Sequence, residues 1–303
     1  MARAADTFRW RGATSTAYNT PGNWIKTDGT TWATHWPGWD GSLAVIVDGD
    51  TVLLDGDPTN LLAGFDASAL GDLLKLHVGQ LYDLTLASSG AYLQFDMQTS
   101  GQVIIDAPLS GNIFLKGAGT NKIPTLTCLD LKSTSTFSVD GTVGTANLLK
   151  GTITIKATGI ISTALNVSFV SGRLSDVTLT IEAGTTLPGS INAIGGTITN
   201  SNVITTLNLA GAKWTQAVGN ITTAEITAGT LVWNAGNITT CNLRGGLLDG
   251  SNATVARTCT TLNQYKDGTV NANDGAKRIT ITTWNIYTAK PAIELTPGTV
   301  LTL

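Results

Sequence analysis

Charge is scarce in this chain of 303 residues. Only 13% of it is Asp, Glu, Lys or Arg, about half the usual share of a soluble protein. Just three residues are Glu, a residue that favours helix surfaces, so a largely helical fold is excluded. With a net charge of -3, a pI near 5.3 and no cluster of Lys and Arg, nucleic acid is not expected as a partner, because phosphate binding needs concentrated positive charge. No run approaches the roughly eighteen consecutive apolar residues of a membrane span. Residues 1–10 hold no apolar core of a secretory signal, so none is expected. The three cysteines, Cys128, Cys241 and Cys259, are an odd number and follow no zinc spacing. They suit a chain made in a reducing cytoplasm without disulfides, with export by another route left open.

Threonine is abundant instead. There are 50 Thr, 34 Gly and a 42% hydrophobic share, a composition that suits strands and a packed core. Five of the eight Trp fall in the first 39 positions: Trp10, Trp24, Trp32, Trp36 and Trp39. They are mixed with turn formers, as in Pro21-Gly22-Asn23-Trp24 and Trp36-Pro37-Gly38-Trp39-Asp40. Residues 1–40 therefore read as an irregular, Trp-rich N-terminal cap. Beyond it, Val45-Ile46-Val47 and Val52-Leu53-Leu54 are each stopped by an Asp-Gly turn. At most one short helix is expected, over about 66–76, where Ala67, Ala69, Leu70, Leu73 and Leu74 form an apolar face and Asp66 can cap it. Gly71 and the alternation across 74–78 oppose that helix. Later segments alternate apolar residue with threonine: 125–131, 152–155, 177–181 and 278–282.

A repeat gives the architecture. Asn202-Val-Ile-Thr-Thr-Leu-Asn-Leu returns seventeen residues later from Gly219 and again from Gly236, with a looser copy from Thr254. Ile204, Ile221 and Ile238 align, as do Leu209, Ile226 and Leu243. Leu207, Ala224, Cys241 and Cys259 fall in roughly one column. So short a repeat cannot hold helical units; it matches one coil of a β-solenoid. A β-sandwich does not explain columns that persist at this period. The expected fold is all-β: a parallel β-helix over 41–303, with coils of about 17–20 residues and on the order of fourteen coils, each rising about 4.8 Å. Residues 183–212 carry no charge at all. Either Asn and Thr solvate that flank, or neighbouring subunits cover part of it.

Sites for chemistry are few. Asp249 and Asp267 are eighteen apart, a spacing that can stack two carboxylates on adjacent coils, with Asp274, Lys277 and Arg278 nearby. All three acids are also followed by Gly, which marks turns. The Asp-Gly-Asp units at 48–50 and 55–57 offer oxygens to calcium but follow no calcium-loop pattern, so turns are the simpler account. His35 and His77 are the only histidines, and neither lies in a triad motif. No catalytic residue, cofactor or metal is therefore expected. The sequons at Asn166, Asn220, Asn237 and Asn252 are expected by chance in so Asn- and Thr-rich a chain. Three roles are open to the Trp cluster: stacking on sugars, anchoring in a partner's groove, or plugging the first coil. Trp24, Trp32, Trp36 and Trp39 are the candidate partner-binding residues.

The segments Gly22-Asn23-Trp24, Trp36-Pro37, Ala44-Val45-Ile46-Val47-Asp48 and Thr51-Val52-Leu53-Leu54-Asp55 resemble the opening of bacterial and phage β-helix surface proteins. The remainder is similar to the right-handed parallel β-helix superfamily in its non-enzymatic form. That resemblance implies a bacteriophage virion protein, most of all a capsid decoration or cement subunit assembled in the host cytoplasm. It implies the major capsid protein or other virion proteins as partners, with a homotrimer favoured. A tail-associated receptor-binding or glycan-binding spike and a bacterial surface adhesin are the alternatives.

Overall fold

The computed structural model describes residues 3–26, 31–40, 45–56, 58–60, 62–66, 70–81, 85–108, 111–117, 123–132, 134–168, 177–253, 255–273, 279–287 and 292–294. The protein is all-β, a parallel β-solenoid of about 10 turns with 64% of its residues in strands. Among the described residues the one helical element is a 3-10 turn, Pro21–Asn23. Among the described residues no helix appears over 66–76; Ala67 and Ala69 of the expected helix lie outside them. Asp66 ends the strand Phe65–Asp66, and Leu73–Leu81 is a strand. The alternation across 74–78 prevailed because burying every second side chain between stacked coils outweighs a weak helical preference.

Contacts divide the chain into two compact units, 1–162 and 163–303. In the first, Thr7–Trp10 lies parallel to Thr51–Gly56 and antiparallel to Trp24–Lys26. The Trp-rich segment thus supplies a rung of the stack and also covers it. On one face, Thr51–Gly56 is followed by Leu73–Leu81, Met97–Ala107 and Ile123–Leu131. On another, Leu93–Phe95, Ile113–Gly117 and Thr136–Leu148 stack. The inward residues, among them Val52, Leu76, Val103 and Leu126, are all fully buried.

The second unit repeats this plan with tighter coils. Ile204–Gln216, Ile221–Trp233, Ile238–Asp249 and Arg257–Asn271 are long strands, each contributing to two ladders. Their register aligns Ile204 with Ile221 and Ile238, and Leu209 with Ile226 and Leu243, as the repeat predicts. Gly219 and Gly236 hold the corner between coils, at φ +86° and +76°, which glycine tolerates and other residues rarely do. Inside this corner, Asn200 and Gln216 are wholly buried yet satisfied. The Gln216 amide donates to the carbonyls of Asn202, Val218 and Gly219 and accepts from the Trp214 indole at 3.0 Å.

Coil length differs from the expectation, which is why about 10 turns replace fourteen. Lys75 sits opposite Thr51, Gln102 opposite Lys75 and Thr125 opposite Gln102, offsets of 24, 27 and 23 residues. Seventeen holds between Leu207, Ala224 and Cys241; the next steps, to Leu262 and Trp284, are 21 and 22. The added residues lie in connecting loops, which period-two patterning does not count. The same loop corrects one column: Cys259 stacks on Ile238, and Leu262 takes the place above Cys241.

Candidate functional site

The cap begins with Asn23, a short polar side chain buried at the end of the 3-10 turn. Its carbonyl oxygen accepts from the Thr14 and Ser15 amides and the Thr14 hydroxyl, at 2.8 to 3.0 Å. Its amide donates to the Ser15 hydroxyl and the Ala17 carbonyl. One Asn therefore folds the loop over 14–17. Trp24, next in sequence, points the other way, into the core. It meets Phe8, Trp10 and Tyr18 edge to face at 4.9 to 6.4 Å, and its indole donates to the Tyr18 carbonyl at 2.8 Å. Trp24 is fully buried. As a partner-binding candidate it offers no surface; truncating it to Ala costs about 3–5 kcal/mol of cap stability.

The other three candidates lie elsewhere. Trp36 and Trp39 stack on each other with centroids 3.9 Å apart and planes at 24°. Both are half-buried. Between them Gly38 takes φ +80° to close the turn. Trp32 is 49% exposed and is not part of that stack. The pair is braced from below by an ion pair. Arg3 grips Asp50 through both terminal guanidinium nitrogens, and Asp50 also accepts from the amides of Asp6 and Gly38. The same guanidinium reaches the carbonyls of Trp36 and Trp39 at 3.4 Å. With Asp50 fully buried and so engaged, its Asp-Gly-Asp unit serves as a structural clamp. The pattern of the sequence contained no signal for Arg3, whose partner lies 47 residues away.

His35 packs against Phe8 at 5.4 Å, and its Nδ1 lies 3.1 Å from the Thr34 hydroxyl. Burial, followed by the nearby Arg3 and Lys26 charges, lowers its pKa from the ordinary value.

The acids do not converge. Asp249 is opposite Asn271, and Asp267 is opposite Gly245, so the two carboxylates are not stacked. The inserted loop before Arg257 shifts the register away from eighteen. Asp249 instead accepts from Ser251 and Asn271. Asp274, Lys277 and Arg278, and Asp57 of the second Asp-Gly-Asp unit, lie outside the described residues. Among the described residues no three His, Cys, Asp or Glu gather as a metal would require, and no helix is long and apolar enough to cross a membrane. A shallow pocket of about 360 Å³ is lined by Thr16, Leu62, Thr85, Ser88 and small alanine and glycine residues, with no titratable side chain. The sequon residues Asn220 and Asn237 join coils, each accepting from an amide of the next coil at 2.8 Å. The chain matches no protein-family profile, and no curated protein or solved structure is similar to it.

Proposed function

We propose that this chain is a structural adhesion subunit of a bacteriophage virion, a decoration or cement protein that docks on the major capsid shell as a homotrimer. The observation that carries the adhesive role is the braced aromatic ledge of the half-buried Trp36 and Trp39, together with the exposed Trp32. Aromatic side chains held rigid lose little entropy on docking and dominate interface energetics. The virion itself is inferred from the resemblance of the opening segments. Repeated shallow contacts from many subunits would add through multivalency.

Two measurements test this reading. Trp36→Ala with Trp39→Ala should abolish binding to undecorated particles, since each lost aromatic anchor is worth about 2 kcal/mol or 30-fold in affinity. The melting temperature of the double variant, compared with that of the natural chain, controls for cap stability. A folded double variant that still binds overturns the anchor. Copy number in purified particles, by quantitative mass spectrometry against the capsid protein, tests the location. Hundreds of copies place it on the head, a handful in multiples of three or six move it to the tail, and none removes the viral reading.

A further inference from the structure

His35 sits where the Trp-rich cap keeps its charges. The chain over 31–33 runs beside Trp24–Lys26: Trp32 bridges Ile25 antiparallel, and the Ala33 amide donates to the Trp24 carbonyl at 2.9 Å. That path carries the imidazole onto Phe8, which it meets edge to face at 5.4 Å. The Arg3 guanidinium lies over the same ring, 4.9 Å from its centroid. Phe8 therefore packs against both the histidine and the cation that braces the Trp36–Trp39 ledge.

The surroundings favour a neutral ring. Its Nδ1 lies 3.1 Å from the Thr34 hydroxyl, while its Nε2 is buried and has no hydrogen-bond partner among the described residues. A neutral imidazole carrying its proton on Nδ1 presents only a lone pair at Nε2. The cation would place an N–H there with nothing to accept it. The neighbouring charges also oppose a second proton. Arg3, from the N-terminal segment, and Lys26, from the strand beside it, repel the imidazolium; Asp40 and Asp50 attract it more weakly. Those acids are already engaged. Asp50 is held by Arg3 and by the amides of Asp6 and Gly38, and Asp40 accepts from the Arg3 amide at 3.3 Å. Lys26 pairs with Asp6 at 3.7 Å. The Tyr18 hydroxyl, 3.5 Å from the Pro37 carbonyl, is pushed well above its ordinary pKa by burial and stays neutral. Burial first, then the two cations, lower the His35 pKa from 6.5, so the ring is uncharged at pH 7 and takes its proton in acid.

A charge arriving there falls on the clamp. Arg3 holds Asp50 and reaches the Trp36 and Trp39 carbonyls at 3.4 Å, and His35 directly precedes Trp36 in the chain. Any movement that gives Nε2–H an acceptor, or parts imidazolium from guanidinium, displaces the ledge. We propose that protonation of His35 is an acid switch that unlocks the Trp36–Trp39 ledge from its Arg3–Asp50 brace. The ledge is fixed at neutral pH and loosens as pH falls through the folded-state midpoint of His35. Coils of the second unit are untouched. Release from a docking partner in acid is the consequence, and that consequence alone rests on the adhesive reading of the ledge.

Fluorine NMR of the full chain labelled with fluorotryptophan tests the switch, with the two ledge signals assigned from Trp36→Phe and Trp39→Phe. Between pH 7.5 and 5 both should shift reversibly with one midpoint below 6.5, while the signal of Trp214, fully buried in the second unit, stays in place. The His35 imidazole, distinguished from His77 by His77→Gln, should titrate at that same midpoint in nitrogen NMR. His35→Gln should abolish the ledge shifts. Ledge signals that do not move, that move at a midpoint other than that of His35, or that move equally in His35→Gln each overturn the switch. The comparison of midpoints decides even where that variant does not fold. Docking on undecorated particles should weaken about tenfold or more between pH 7.5 and 5 in the natural chain, and less in His35→Gln. A ledge that titrates while docking stays constant leaves the switch standing and removes the ledge from docking.

Discussion

Replacing Gly236 with Ala tests how tightly the coils are stacked at their corners. An added Cβ there would lie 1.7 Å from the Gly219 carbonyl oxygen in the coil before, and the backbone is left-handed at φ +76°. The conformation alone costs an alanine about 1 kcal/mol or more. Because the obstructing atom is backbone, no side chain can swing away, so two coils must separate. A total loss of about 3–4 kcal/mol is expected. Gly189→Ala in the same unit is the matched control: nothing lies within 4 Å of its Cβ, and its φ is not left-handed. That change should be neutral or stabilising by up to about 1 kcal/mol, through the unfolded chain. Urea denaturation compares the two variants, and amide exchange locates the damage. Ile204 and Ile221 donate to the carbonyls of Asn220 and Asn237 across this corner at 2.8 Å, so their protection should fall most. Coils touch only their neighbours, so protection at Thr178, several coils away, should persist. Equal midpoints for the two variants would refute the argument that the corner requires glycine.

Two further predictions follow from buried titratable groups. Burial raises the thiols of Cys128 and Cys259 to about 12 and that of Cys241 well above its ordinary value, so Ellman's reagent should label none of the three in the native chain at pH 8 and all three in denaturant; even one fast native thiol contradicts the packing. His35 is lowered from its ordinary pKa of 6.5, chiefly by burial, so the unfolded cap takes up its proton first. Stability is then full above about pH 6.5 and declines as pH falls toward the depressed folded value, below which this contribution stays flat. Tryptophan fluorescence during denaturation at pH 7.5, 6.5 and 5.5 should show the decline in the natural chain and a smaller one in His35→Gln. Equal slopes would remove His35 as the cause.

Much of the fold is legible in individual residues. Ile204, Ile221 and Ile238 form a column because a strand buries every second side chain, and a constant coil length returns the same side to the same place. Once loop length varies, that inference fails: Cys259 shifted to Ile238, and Asp249 separated from Asp267, because the loop before Arg257 lengthens one coil. The helix expected at 66–76 failed for a related reason. Its apolar residues fit two periods, and only the neighbouring rungs Thr51–Gly56 and Met97–Ala107 decide between them. In the cap, Asn23 and Trp24 stood out as a pair, but nothing local distinguishes the buried Trp24 from the exposed Trp32.

Composition and period by themselves determined that this protein is all-β, stacked in short coils and low in charge, since those properties depend on spacing along the chain and on intrinsic preference. Only the tertiary structure decided which residues meet: Arg3 with Asp50, Trp36 on Trp39, and His35 against Phe8. Such contacts depend on the summed length of every loop between them, and an error of one residue in that sum turns an inward side chain outward.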